Sequence, residues 1–314
     1  MLTYSLRRVL YSIPVLLIAS FVLFAGVRAT FDPTARLAQS RDPQVQIRER
    51  ERLGLNDPLV VQYGNWLKNA VHGDFGQSAT SREDVSKMIS RAMGNTLQLI
   101  IIGAVVSVFI AIGIGVFSAV RQYSILDYLF TGLSYIGVAM PPFWFGLLAI
   151  EFFVVQHRWF LSVGLHTGDS SGFDLDYLKH LVLPVATLCV QIIASWSRYQ
   201  RASMLDALSA DYVRTARAKG VPRWKVVFKH ALRNALIPFV TVVALDFGAL
   251  FGGLIITETI FSIGGMGRLF YNAILVGDVY VVQAWMILVA VIIILFNLCA
   301  DLIYGILDPR IRLA

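Results

Sequence analysis

The stretch LQLIIIGAVVSVFIAIGIGVFSAV, residues 97–120, decides the class of this protein. It carries no charged residue, and as a helix at ~1.5 Å per residue it would reach about 36 Å. A bilayer hydrocarbon core is about 30 Å thick. Lipid offers the backbone no hydrogen-bond partner, so an apolar run of this length has to be helical. Working outward, five more apolar runs qualify: Val9–Val27, Tyr128–Val155, Leu181–Trp196, Ala235–Phe261 and Val279–Leu307. The expected fold is an all-α integral membrane protein of about six transmembrane helices.

Composition agrees. Of 314 residues 57% are hydrophobic and 15% charged, with a mean hydropathy of +0.67. Soluble domains carry about 25% charged residues. Arg7 and Arg8 precede the first run, as in a signal peptide. The run is longer than a usual signal core, however, and no small-x-small cleavage site follows it, so it reads as a retained first span. Pro141-Pro142 should bend or break the third span. Gly113, Gly115, Gly248, Gly252 and Gly253 should allow close helix approach. Cys189 and Cys299 lie in apolar runs without metal or disulfide spacing and read as small buried hydrophobes.

The net charge of +7 could suggest nucleic acid, but its distribution argues otherwise. With the N-terminus placed inside, basic residues crowd the inner loops: Arg7, Arg8, Arg121, Arg198, Arg201, Arg214, Arg217, Lys219, Arg223, Lys225, Lys229, Arg233, Arg310 and Arg312. The outer segment Phe31–Asn95 holds nine basic and eight acidic residues and is nearly neutral. That asymmetry sets topology, with both termini cytoplasmic. In the outer segment, Arg48–Arg52 reads as a solvated helix followed by Leu53–Leu67, and the whole is long enough for a small helical cap; the plainer reading is a connector.

The inner segment from Gln200 to Asn234 carries the strongest functional signal. Ser209 is a candidate cap for a helix with Asp211 in its first turn and Lys219 in its last, and Gly220 is a suitable stop. Pro222 would start a second short helix running to about Asn234. Val213, Ala216 and Gly220 share one small face at helical spacing, suited to a groove on another protein. Arg214, Arg217 and Lys219 surround it. The plainer reading is a solvated basic loop that only sets orientation.

Polar groups at membrane depth invite functional readings because they are costly there. Asp246 lies midway along the fifth run and needs a partner from another helix or a water-filled pathway. Together with Gln191 and Gln98 it is a candidate for a pathway or gate. Glu151 and Glu258 lie near the outer ends of their runs, and Asn297 and Asp301 read as helix bridges. No phosphate-cradling G-x-x-x-x-G-K-[ST], H-E-x-x-H or G-x-S-x-G occurs, and His72, His157, His166, His180 and His230 are scattered. The expectation is no enzyme, no metal and no cofactor on this chain.

The segment Asp211–Gly220 resembles the EAA loop of permease subunits of binding-protein-dependent ABC importers, particularly the dipeptide/oligopeptide class. The general motif is Glu-Ala-Ala, three residues, then Gly. Here Arg214-Thr215-Ala216 precedes Gly220, so Ala216 and Gly220 match. The later Leu-Pro appears as Ile237-Pro238. Leu53–Leu59 with Gln62-Tyr63, Gly73–Ser78, Glu258–Leu269 and Asp308-Pro309-Arg310 are similar to further segments of that class, in its order.

The resemblance implies a type I ABC importer permease fold with an extracytoplasmic insertion after the first helix. Its parts would be residues 1–95, the transmembrane domain 96–307 and a cytoplasmic tail 308–314. It also implies a bacterial cell membrane location, a sister permease, two ATP-binding subunits carrying ATP and Mg, and an extracytoplasmic peptide-binding protein. Asp211, Tyr212, Arg214, Thr215, Ala216, Arg217, Ala218, Lys219 and Gly220 would couple to the ATPases. Peptide is the expected substrate, with nickel or glutathione as alternatives. A secondary transporter is a distant rival: such proteins show internal repeats and paired broken helices, and here there is one Pro-Pro break and no clear repeat. An intramembrane enzyme would need a nucleophile and base at matching depth, and none pairs.

Overall fold

A computed structural model describes residues 2–34, 43–168 and 172–307, and within them the apolar runs are helices. In chain order these are α1 (Leu2–Thr30), α2 (Pro43–Arg52), α3 (Leu59–Val71), α4 (Val85–Val120), α5 (Ile125–Ala139) and α6 (Pro142–Ala149). Then come α7 (Leu175–Ser209), α8 (Asp211–Ala218), α9 (Arg223–Lys225), α10 (Leu232–Ile260), α11 (Met266–Val276) and α12 (Val279–Leu307). A π-helical segment, Ile150–Gln156, extends α6, and another, Val226–Ala231, joins α9 to α10. The described residues form no strand, only an isolated bridge between Gln77 and Asp84.

Among the described residues, five helical stretches are long and apolar enough to cross a membrane: Val9–Thr30, Val85–Val120, Leu175–Ser209, Arg223–Gly248 and Val279–Leu302. A sixth is Ile125–Ala139 with Pro142–Gln156, if that pair counts as one span, and it is bent by 102°. The bend has a local cause. Met140 and Pro141 both precede a proline, which disfavours helical backbone, and their ψ angles are 122° and 131°. Pro142 then opens α6, where its missing N–H leaves no helical bond unmade.

Helix ends differ from expectation wherever polar residues continue a helix. α4 starts at Val85, not Leu97, because Ser86, Lys87 and Arg91 interrupt hydropathy without interrupting helicity. α7 starts six residues before Leu181, where Asp174 accepts the Tyr177 N–H at 2.8 Å, and it runs on past Trp196 to Ser209. The second inner helix does not stop at Asn234. It passes through the π-helical segment into α10. Cys189 is buried, but Cys299 is exposed. Lipid is as apolar as a core, so a membrane helix has no need to turn an apolar side chain inward. The tail 308–314, with Asp308, Pro309, Arg310 and Arg312, lies outside the described residues.

One compact unit comprises Leu2–Thr96 and Gly264–Leu295. Phe24, Tyr63, Trp66 and Phe75 link α1 to α3 and the following loop, with ring centroids 5.6 to 6.5 Å apart. Ser20 Oγ and Tyr63 OH are 2.7 Å apart. Burial pushes the Asp32 carboxyl up, but the Thr34 amide and hydroxyl and Arg50 outweigh it and hold the group below the usual carboxylate range. The Gly73–Ser78 motif is a built turn. Gly73 and Gly76 take φ of 80° and 83°, and Ser78 Oγ donates to buried Asp278 at 2.5 Å. Ala79 N–H donates to the same carboxylate. Thr96 accepts the Met266 N–H at 2.8 Å, and Phe270 stacks on Trp285.

The other unit comprises Leu97–Ile263 with the described residues from Phe296 onward. At its centre α7 packs against α5, α6 and α10. Glycines bring neighbours close to it. A Cβ on Gly103 would lie 2.7 Å from Leu188, on Gly115 2.7 Å from Gln200 Cβ, and on Gly137 2.9 Å from Ala194 Cβ. The expected role of Gly115 therefore holds. Gly113 meets nothing within 4 Å.

Candidate functional site

The segment Asp211–Gly220 is a short helix with a defined stop. Ser209 is not its cap. That hydroxyl belongs to α7 and donates to Asp206 O at 2.9 Å, while Ala210, extended at ψ 151°, separates the two helices. At the far end Gly220 takes φ +73°. Val221 N–H reaches Ala216 O, and Gly220 N–H reaches Arg217 O. These two bonds form a Schellman stop, and its left-handed residue is the glycine.

The small face is not free. Val213 and Ala216 are buried against Met204 and Ala207 of α7, Val116 and Ala119 of α4, and Val226, Val227 and Ala231 of the next segment. The apolar face of a short helix finds its groove in this chain's own core, so Ala216 holds the knob in place from within. The outward face is polar: Asp211, Tyr212, Arg214, Thr215, Arg217, Ala218, Lys219 and Gly220 are exposed. Arg214 donates to Asp211 Oδ1 at 3.3 Å, and Thr215 Oγ1 donates to Asp211 O. Arg217 and Lys219 leave this face net positive.

Of the membrane-depth candidates, the structure brings two together. Asp246 and Gln191 line one cavity of about 250 Å3, with Pro142, Thr187, Ser195 and Thr257. Trp196 Nε1 donates to Asp246 Oδ2 at 2.7 Å. The indole is almost wholly buried and meets Phe239 edge-on. Asp246 therefore has its partner on another helix and still lines a cavity whose largely apolar wall carries a few polar groups. Gln98 lies elsewhere, where its Oε1 accepts the Tyr177 hydroxyl at 2.8 Å and ties α4 to α7. Glu151 accepts from Gln156 Nε2 at 3.2 Å.

Two partnerships escaped sequence reasoning. Trp196 read as an apolar span residue, although an indole N–H at membrane depth is itself a signal of a nearby acceptor. Arg201 read as an inner-loop charge. It lies within α7 and grips Asp127 with two bonds of 2.8 Å, Nε to Oδ1 and Nη2 to Oδ2. Asp127 also accepts the Tyr123 N–H at 2.9 Å and is buried. The pair fastens the start of α5 to α7.

His166, Asp174 and Asp176 each bring a ligand atom within 4.8 Å of the others. Both carboxylates already hold local structure. Asp174 caps α7, and Asp176 accepts from Thr167 N–H and Oγ1 at 2.7 Å. The arrangement as a whole presents an exposed basic helix face and a cavity bearing Asp246 and Gln191 on one helical frame.

The family model for the binding-protein-dependent transport system inner membrane component matches residues 111–313. A second model, for the N-terminal part of a binding-protein-dependent transport system membrane component, matches residues 1–100. The oligopeptide transport system permease protein AppB of Bacillus subtilis is 40% identical, over 99% of this chain and 100% of its own length. The dipeptide transport system permease protein DppB of Alkalihalophilus pseudofirmus is 38% identical, over 99% and 100%. The glutathione transport system permease protein GsiC of Escherichia coli K12 is also 38% identical, over 99% of each chain. Among solved structures, inward-facing MetNI methionine ABC transporter matches with TM-score 0.56 and 19% identity, covering 70% of this chain and 96% of that one. That likeness is one of fold.

Proposed function

We propose a transport role from one premise: the chain belongs to the family of binding-protein-dependent transport system inner membrane components. It is a multi-pass membrane permease subunit, and its substrate is a dipeptide or oligopeptide. Full-length similarity to permeases named for oligopeptides, dipeptides and glutathione, itself a short peptide, supports that class over nickel. The chain forms the pathway with a sister permease. Two ATP-binding subunits carry ATP and Mg, and an extracytoplasmic binding protein delivers the peptide. Both termini are cytoplasmic, on the distribution of basic residues.

The observation that carries the coupling role is the outward face of α8. A rigid, glycine-stopped helix presents Asp211, Tyr212, Arg214, Thr215, Arg217, Ala218, Lys219 and Gly220 beside the ends of spans, while Val213 and Ala216 anchor it to α4 and α7. Closure of the ATPases moves this knob and, through α7, the cavity lined by Asp246 and Gln191. Any such shift requires contacts that differ between the two states.

Mass spectrometry of proteins copurifying from gently solubilised native membranes tests the reading. A homologous permease and one or two P-loop ATPases are expected. Reconstituted with the binding protein, the complex should take up peptides in an ATP-dependent way. Recovery of the chain alone, under conditions that preserve other ABC assemblies, would overturn the proposal.

A further inference from the structure

Beside the knob, at the ends of two candidate spans, lies a groove of about 660 Å3 that transport does not account for. Its floor is apolar, from Val116 and Val120 of α4 and Val227 and Leu232 of the segment entering α10. Its mouth is cationic. Arg121 follows the last residue of one span, and Arg223 is the first residue of another. Both line the groove and both are exposed. Among the described residues neither guanidinium forms an ion pair with a carboxylate. Trp224, exposed at the same mouth, carries the Lys225 ammonium 5.4 Å from its ring centroid.

These features name a ligand chemistry. An apolar groove that ends in two guanidinium groups, each at the end of a candidate span, suits a molecule with a hydrocarbon tail and an anionic head. Guanidinium groups match phosphate oxygens in pairs. Basic pockets between membrane helices hold anionic headgroups, and an interfacial tryptophan marks that depth. We propose that the groove between α4 and the segment Arg223–Leu232 binds one anionic phospholipid, with a chain along Val116 and Leu232 and its phosphate on Arg121 and Arg223. This needs only that these helices cross a bilayer and is independent of the substrate.

The test uses the assembled transporter with all its copurifying subunits, in nanodiscs. The probes are phosphatidylglycerol and phosphatidylcholine with brominated chains. The readout is quenching of the Trp224 fluorescence, isolated by subtracting a Trp224→Phe variant. Phosphatidylglycerol should quench at lower mole fraction than phosphatidylcholine. That preference should fall roughly fivefold in Arg121→Gln or Arg223→Gln and roughly thirtyfold in the double variant. Gly113 lines the groove and has open space around its Cα. Gly113→Leu should therefore displace the chain and remove the quenching.

Equal quenching by the two lipids in the wild type refutes the proposal, and that comparison stands even if the variants fail to assemble. A preference that survives the double arginine variant also refutes it, as does quenching that survives Gly113→Leu. If neither lipid quenches Trp224 in the assembled complex, the groove is covered by another subunit and the lipid assignment is wrong.

Discussion

Gly220 is the position at which backbone geometry and proposed function can be separated. Its φ of +73° is left-handed, and a Cβ placed there would meet nothing within 4 Å. Substitution therefore brings no clash within the chain, and the penalty is conformational. An L-residue forced into this region loses about 1–2 kcal/mol, while asparagine tolerates it. Alanine should thus weaken the Schellman stop against a frayed alternative by roughly five- to thirtyfold. Valine, stiff at χ1, should lose more. The expected order is Gly, then Asn, then Ala, then Val. The assay is the assembled transporter in proteoliposomes, with peptide uptake and phosphate release measured on one preparation. The ratio of peptide imported to ATP hydrolysed should fall in that order while assembly stays intact. Wild-type coupling by Gly220→Val would refute the reasoning. An order set by side-chain size, with Asn below Ala, would show that the surface at Gly220 matters rather than its φ.

Gly115→Val should lower the unfolding temperature of the complex, because its Cβ would lie 2.7 Å from Gln200 Cβ. Overpacking of that kind amounts to about 1–3 kcal/mol, and Gly113→Val, free of contacts, should fall well below it. Similar unfolding temperatures for the two variants would contradict the close approach of α4 and α7. Trp196→Phe keeps the ring on Phe239 but removes the N–H donated to Asp246. Loss of that donor should amount to about 1–3 kcal/mol and depress uptake more than ATP hydrolysis. Unchanged uptake would remove the cavity from the pathway. Asp127→Asn leaves the part-exposed Arg201 without its carboxylate and should destabilise the fold by about 1.5–3 kcal/mol, read by thermal unfolding. A loss below 1 kcal/mol would mean that the pair is not what fastens α5 to α7.

Hydropathy was enough for the spans because the bilayer leaves an apolar run no alternative to a helix. It failed at the helix ends, where lipid is no longer the solvent. Ser86, Lys87 and Arg91 look like a loop by polarity yet extend α4, and Arg198 to Ser209 likewise extends α7. The Pro141-Pro142 bend was legible because a pre-proline restriction is local. The inward face of α8 was not. Val213 and Ala216 present the same spacing whether their groove lies on a partner or in the chain's own core, and only the positions of Met204 and Val227 decide. Asp246 was visible as a charge at membrane depth, but its donor lay fifty positions earlier on another helix.

The three partnerships that matter most to the proposed mechanism fall on one helix. Trp196, Arg201 and Ala207 of α7 hold, in turn, the cavity carboxylate, the start of α5 and the buried face of α8. The first and last lie eleven positions apart, about 16 Å of helix at ~1.5 Å per residue. A helix fastened at those points moves as a unit or not at all. Asp246 and α5 must then follow any displacement of α8 that the core of Val213 and Ala216 survives. The glycines at 103, 115 and 137 bear on the same point, because there the α4 and α5 backbones lie directly on Leu188, Gln200 and Ala194 of α7, with a side chain from one helix only. Such contacts leave few side chains able to absorb a push by changing rotamer. On this reading the coupling lies in the stiffness of α7 and not in a relay of polar residues. It predicts that Trp196→Phe and Asp127→Asn affect transport through different ends of the same lever.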